Sequence, residues 1–335
     1  VAEPLVSVLI PARNAARWIG ETLESVQAQT WPSVEVIVAE AGSTDETRDV
    51  IRRYESGRVR LLPDGEGTSA AQNRNRAARE AQGQLLQFLD ADDVLGPDKI
   101  RLQVERLADV EDSVASCEWA RFYEAPQEAQ FLPEPVWLDL DAREWLVRAW
   151  TGGQPMMQPG LWLIPRRVAE RAGPWDEDLT LIDDFEYVTR VLMASREVRF
   201  CAGARLYYRS GNPESLASQR SAGAWQSAWQ SLDRGTRALL AAAPSARART
   251  ACADLFQQLA FDAYTDDDDT SARAERRALE LGGSRVRMGG GRLFRLVRNT
   301  AGWKTAKRVK RACYRLGYGR VARAKEAAWA GSWPR

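Results

Sequence analysis

The sequence predicts an α/β fold: a doubly wound, mostly parallel sheet with helices on both faces, followed by a C-terminal helical region. Three observations carry this. Short β-branched runs alternate with stretches of helical apolar spacing through the first half, the mark of βαβ units. Several of these runs end abruptly in polar or acidic residues, where an open α/β sheet binds its ligands. Beyond about Leu216 the pattern becomes all-helical, broken by the acidic Asp266 to Asp269 and the glycine-rich Gly282 to Gly291.

Taken in order, Val6 to Ile10 is a strand that breaks at Pro11, leaving Pro11-Ala12-Arg13-Asn14 as a loop at its carboxyl end. Trp18, Ile19, Leu23 and Val26 recur at helical spacing between Ala15 and Gln29. Glu35 to Val38 is the second strand. Ser43 and Glu46 then have capping-box spacing for a helix reaching Tyr54. Val59 to Leu62 is a strand, Ala70 to Ala81 a helix, and the run from Leu85 a central strand ending at Asp90. A helix follows Asp98 to about Ala108, then a strand Val114 to Cys117. Prolines 126, 133 and 135 mark Trp119 to Pro135 as irregular. Asp141 to Trp150 is helical, Gly152 to Pro155 a loop, and Leu161 to Ile164 a strand stopped by Pro165. Arg166 to Ala172 is a short helix closed by Gly173-Pro174, and Asp183 opens another. Val198 to Phe200 and Arg205 to Tyr208 are strands, and Gly211-Asn212-Pro213 a turn. This divides the chain at about residue 216 into an α/β domain, 1–216, and a helical region, 217–335.

Composition narrows the chemistry. The 335 residues are 44% hydrophobic and 28% charged, enough for a sizeable core. There is no histidine, which excludes Ser-His-Asp and Cys-His catalysis and any HExxH zinc site. Acid–base work therefore falls to carboxylates, Tyr, Lys or Cys. Cys117, Cys201, Cys252 and Cys313 lie far apart, which argues against a disulfide framework and fits a reducing, cytoplasmic compartment. No apolar run approaches the roughly 20 residues that span a bilayer, and no signal peptide is visible. The formal net charge of +1 gives no reason to expect nucleic acid. It hides an asymmetry: Arg285 to Lys325 contains no Asp or Glu, and its basic residues interleave with Leu293, Phe294, Leu296, Val297, Trp303 and Val309. Such a segment suits an anionic membrane surface; a basic face docked on the acidic catalytic domain and a nucleic-acid patch are the alternatives.

The chemistry centres on Phe88-Leu89-Asp90-Ala91-Asp92-Asp93. A strand delivering Asp-x-Asp at its carboxyl end can hold a hard divalent cation, which takes one or two carboxylates plus substrate phosphates. A polar turn after a strand is the structural alternative. Asp183-Asp184, at a helix start, is a second acidic pair, explicable also by the helix dipole.

In their order, VSVLIPARNA, EVIVAEAGSTDET, NRNRAAREAQGQLLQFLDADD, GPWDEDL and IDDFEYV resemble the family 2 glycosyltransferases of GT-A fold, over roughly residues 5–216. The resemblance implies an inverting transfer of sugar from a nucleoside-diphosphate sugar to a hydroxyl of a glycan or lipid-linked cell-envelope acceptor. It implies nucleotide contacts from Pro11, Arg13 and Asn14, from Glu40 with Ser43 beyond it, and from Arg74 and Asn75. Asp90, Ala91 and Asp92 match the family's DxD, with Asp92, helped by Asp90, meeting Mg²⁺ or Mn²⁺. Asp184 matches the general base, and Trp175, Asp176 and Asp183 border the acceptor. Many members have a histidine after Tyr-Arg; here Arg209 or Asn212 would meet the diphosphate instead. Glu40-Ala41 stands where the family has Asp-Asp or Asp-Gly, so UDP, GDP and dTDP all remain open. A non-catalytic GT-A-like module and a nucleotidyltransferase are the rival readings. The resemblance also places the protein in the cytoplasm, peripheral at the inner membrane face.

Overall fold

The computed structural model describes residues 3–63, 69–110, 112–211 and 220–313. Along the chain, β1 (Val6–Ala12), α1 (Ile19–Gln27), β2 (Val34–Glu40), α2 (Thr47–Arg52) and β3 (Val59–Leu61) are followed by α3 (Ala70–Glu80) and β4 (Leu85–Phe88). Next come β5 (Val94–Leu95), α4 (Lys99–Leu107), β6 (Ser113–Phe122), β7 (Leu140–Asp141) and α5 (Ala142–Trp150). Then β8 (Ile164–Pro165), α6 (Arg166–Ala172), α7 (Asp183–Met193) and β9 (Glu197–Arg209) complete the mixed part. Helices α8 (Ala222–Ala242), α9 (Ala246–Ala263), α10 (Asp268–Glu280) and α11 (Arg292–Cys313) follow.

The main sheet has the order β3-β2-β1-β4-β8, parallel except for β8. All seven residues of β1 are buried, as a central strand covered on both faces requires. A smaller sheet, β5-β9-β6 with β7 beside β9, stands next to it, and a bridge between Ala115 and Leu163 links the two. This is the α/β architecture with a helical C-terminal region that the sequence predicts. Helices α8 to α10 pack on one another, and the bundle rests on α5 and α7.

The structure corrects several local expectations. Strand β6 runs on to Phe122: Ala120 and Phe122 are buried and Arg121 exposed, an alternation that the downstream prolines hide. The two short strands expected after Val198 are one, β9. The small residues from Ala202 to Ala204 are absorbed in a bulge, where pairing passes from Cys117–Cys201 to Glu118–Arg205. The strand expected at Leu161 is a 3-10 turn, Pro159–Leu161, before the short β8. The first helix begins at Ile19, not Ala15. No capping box closes α2; Ser43 Oγ instead accepts the Asn14 N–H at 3.0 Å, and Thr47 Oγ1 accepts the Ala15 N–H at 2.7 Å. The loops after β1 and β2 are thereby stitched into one edge.

The basic C-terminal segment divides at Gly302, whose φ of 83° breaks α11. After the break, Trp303 packs edge-on to Phe261 and Tyr264, and Ala306 is buried. Lys304 pairs with Glu275 at 2.6 Å and Arg311 with Asp266 at 3.4 Å. These described residues therefore dock inside the helical region, on α9 and α10, and not on the catalytic domain as the docking alternative has it. Before the break, Leu293 and Leu296 are 64% and 61% exposed.

Candidate active site

The site forms where β4, the turn before α7 and the end of β9 meet. Its keystone is Arg74, buried on α3. A capping box fixes that helix, Ser69 Oγ accepting from Gln72 N at 3.1 Å and Gln72 Oε1 from Ser69 N at 3.2 Å. The Arg74 guanidinium donates to Asp90 at 2.8 Å and to Asp183 at 2.7 Å, and lies 4.3 Å over the Trp175 ring. Trp175 in turn stacks on Tyr187 at 4.0 Å and meets Phe88 edge-on. One buried cation therefore ties the end of β4 to the start of α7.

Asp184 follows Asp183 and is half-buried, its Oδ1 accepting the Phe185 N–H at 2.8 Å. Burial, then the Asp183 and Asp90 carboxylates, push its pKa up to about 7 against the pull of Arg74. The backbone behind it is strained: Ile182, a β-branched residue, sits at φ 54°, ψ 38°. Its carbonyl accepts from Ser231 Oγ at 2.7 Å, and Ser227 Oγ accepts the Thr180 N–H at 2.8 Å, both serines lying on α8.

Across the site, Asp93 is fully buried. It accepts the Arg209 N–H at 2.9 Å and a close bond from Gln158 Nε2, so it links β4 to β9 and does not cap its own turn. Burial and the Asp92 and Asp90 charges raise its pKa well above the carboxylate range. Gln158 also reaches Asp90 at 3.4 Å. Arg209 donates to the Asp92 carbonyl at 2.8 Å, pairs with Glu21, and lies between the Trp18 and Phe122 rings at 4.4 and 4.3 Å.

The remaining predicted residues are placed as follows. Pro11 is buried at the end of β1, and Arg13 is exposed in the loop beyond. Asn14, at φ 48°, accepts the Thr44 N–H at 2.9 Å. Glu40 is buried and accepts from Ser43 N at 2.8 Å and Arg48 at 3.0 Å. The buried Asn75 is engaged by the Trp175 main chain and by Glu177 at 2.8 Å. Asp176 pairs with Arg234 on α8. Ala91 accepts from Thr22 Oγ1 at 3.0 Å through its carbonyl. Asn212 lies outside the described residues. Sequence reasoning missed Gln158, Glu21 and Ser231. None stands in a local pattern that marks it, since each is defined by a partner far along the chain.

Among the described residues no three His, Cys, Asp or Glu side chains are grouped so as to hold a metal ion. The donor chemistry nevertheless suits a hard cation. Asp90, Asp92, Asp93, Asp183 and Asp184 gather beside Arg74 and Arg209, and burial together with the neighbouring carboxylates raises Asp93 and Asp184. Asp90, which also bonds Arg74, and Asp92 are the oxygen donors at this strand end; Mg²⁺ and Mn²⁺ sites commonly need one or two carboxylates, with phosphates for the rest.

The sequence profile described as glycosyl transferase family 2 matches residues 7–173. The chain belongs to family 2 of the glycosyltransferases. This family member is 41% identical over 105 residues to TuaG of Bacillus subtilis, a glycosyltransferase named for teichuronic acid biosynthesis, covering 31% of this chain and 42% of that protein. It is 33% identical over 103 residues to an Escherichia coli UDP-Glc:α-D-GlcNAc-diphosphoundecaprenol β-1,3-glucosyltransferase, WfgD, covering 31% and 41%. The matched region thus spans less than half the length of these relatives. Two solved structures share the fold. Staphylococcus aureus TarS 1–349 with UDP-GlcNAc aligns with a TM-score of 0.59 at 14% identity, over 83% of this chain and 92% of that one. A Pyrobaculum calidifontis mannosyltransferase with GDP-Man and Mn²⁺ aligns at 0.58 and 20% identity, over 92% and 87%.

Proposed function

We propose that this glycosyltransferase moves a sugar, with inversion, from a nucleoside-diphosphate sugar to a hydroxyl of a glycan or lipid-linked cell-envelope acceptor. The observation that carries the reading is Asp184, a half-buried carboxylate beside the Arg74-bridged Asp90 and Asp183, its pKa pushed up to about 7 by burial and by Asp183. Such a group takes a proton from an attacking hydroxyl near neutral pH. The stitched loops of Asn14 and Ser43, with Arg13 and Glu40, form the nucleotide side. Asp92, with Asp90 behind it, would hold Mg²⁺ or Mn²⁺, which when bound offsets the charge growing on the leaving diphosphate. Arg74 keeps Asp90 and Asp183 apart and oriented, and Arg209 holds the Asp92 main chain.

The relatives support the class of substrate: one acts on a diphosphoundecaprenol-linked sugar, and the two fold neighbours were solved with UDP-GlcNAc and with GDP-Man and Mn²⁺. Among the described residues no helix is long and apolar enough to cross a membrane. The exposed half of α11, with Leu293 and Leu296 among Arg292, Arg295 and Arg298, is suited to lie on anionic lipid at the inner face of the cytoplasmic membrane.

The test has two steps. UDP-, GDP- and dTDP-sugars are screened with Mn²⁺ for a rise in thermal midpoint, since ligand binding stabilises by mass action. With the donor found, Asp184→Asn should bind it normally while transfer falls about 10²–10⁴-fold, the usual worth of a general base. Transfer at the wild-type rate in that variant removes Asp184 from catalysis. A donor that binds but is never transferred or hydrolysed by the wild type favours a binding module.

A further inference from the structure

We infer that the acceptor carries an anionic group, a phosphate or a carboxylate, held by Arg121 at the rim of the site, while Tyr208 and Trp119 take the adjoining sugar ring. This rests on the reading of Asp184 as the base.

The register of the small sheet puts these side chains together. Arg121 on β6 lies opposite Tyr208 on β9, and Trp119 opposite Leu206. Paired residues of parallel strands, and residues two apart along one strand, share a face. Trp119, Arg121 and Tyr208 therefore form one surface. That surface adjoins the catalytic carboxylates. The residue after Tyr208, Arg209, gives its main-chain N–H to Asp93 at 2.9 Å. The Tyr208 hydroxyl is pushed up to about 12 by burial, by Asp93 and, more weakly, by Asp90 and Asp184, against the opposing charge of Arg121.

Arg121 is placed differently from the site's other two cations. Arg74 and Arg209 are buried and neutralised by carboxylates. Arg121 is exposed, its guanidinium 4.9 Å from the centre of the Tyr208 ring and 5.7 Å from that of Trp119. Its hydrogen bond goes to the neutral Ser210 Oγ at 3.0 Å, and among the described residues it has no carboxylate partner. Stacking on two rings holds the fork while leaving donors for a planar anion, which guanidinium grips in bidentate fashion. The charge balance gives this a purpose. A site with more carboxylates than cations repels an anionic acceptor, and a cation at the rim, clear of those carboxylates, offsets the repulsion where the acceptor enters. The neighbouring rings offer the apolar faces against which a sugar packs.

The experiment uses the full chain and three probes with the same terminal sugar. One is an alkyl diphosphate ester, one an alkyl glycoside of a disaccharide ending in a uronic acid, and one a neutral alkyl glycoside. Binding is followed by calorimetry, so the result does not depend on turnover, and KM is measured where transfer occurs. Arg121→Gln should weaken one of the two anionic probes about ten- to a hundredfold, the worth of a charged hydrogen bond. The neutral probe and the nucleotide should be unaffected, and Arg121→Lys should restore part of the loss. Which anionic probe responds identifies phosphate or carboxylate. Equal effects on all three probes, an effect on nucleotide affinity alone, or wild-type binding of neither anionic probe at millimolar concentration would each overturn the inference. Failure of the base assignment shows separately, as unimpaired transfer by Asp184→Asn.

Discussion

At the scale of single residues, Asp184 sets two opposed pH dependences. Its pKa is about 7 in the fold, whereas an unfolded aspartate titrates near 3.9. The fold therefore keeps the proton over that interval, and the stability this contributes is full below about pH 4 and lost as pH rises through about 7. In its proposed role activity should run the other way, because a base must be ionised. Asp184→Asn should then have a higher thermal midpoint than wild type at pH 8, with the difference shrinking as pH falls and vanishing only below about pH 4; equal midpoints at pH 8 would show that the carboxylate is not confined. Asp92 and Asp93, adjacent in sequence, should separate cleanly. Asp92→Ala should lose Mn²⁺-dependent donor binding at an unchanged midpoint, as read by calorimetry and melting. Asp93→Ala strands the buried Arg209 N–H and the Gln158 amide, so it should destabilise by about 1–3 kcal/mol. From the sequence Asp93 looks like the milder position; its burial reverses that for stability.

Elements decide how the proposed base is presented. The turn before α7 holds Ile182 in a left-handed conformation, and such strain persists only where the surroundings enforce it. The enforcement comes from α8: Ser231 bonds the Ile182 carbonyl, Ser227 the Thr180 N–H, and Gly235 lets Phe185 approach. A Cβ at Gly235 would lie 2.6 Å from the Phe185 ring. Gly235→Ala should consequently cost about 1–3 kcal/mol of stability by overpacking, measured by chemical denaturation. Ser231→Ala should lower kcat several-fold while donor affinity is kept, since it loosens the turn without touching the nucleotide loops. A fall in donor affinity with kcat intact would mean that α8 acts elsewhere. This helix lies beyond residue 173, where the family profile ends.

Over the whole molecule, the basic C-terminal segment changes character at Gly302, docked after it and with exposed leucines before it. Trp303, Lys304 and Arg311 brace α9 and α10, so Trp303→Ala should destabilise by about 1–3 kcal/mol and leave liposome binding unchanged. Leu293→Glu with Leu296→Glu should do the reverse, lowering sedimentation with anionic vesicles while the midpoint holds. Added salt should weaken the wild-type association through screening. Equal sedimentation of wild type and the double variant would remove the exposed half from any lipid contact.

The sequence by itself determined the order of strands and helices, the acidic end of β4 and the acidic start of α7. These are local properties: β-branched runs, helical spacing, and carboxylates that follow an apolar strand. The missing histidine already narrowed the base to a few residue types. The tertiary structure alone decided how the acids are used. Arg74 reaches Asp183 across a separation of 109 residues, and Gln158 reaches Asp93 across 65. Neither partner is written in the periodicity around it. The same holds for Arg121 beside Tyr208, which depends on a bulge in β9 for its register, and for Lys99, a lysine buried between Gln87 and Gln103 at 2.6 and 2.7 Å. A charge costs so much to bury unpartnered that its position is chosen by the groups the fold brings to it, and those groups are near only once the chain has closed.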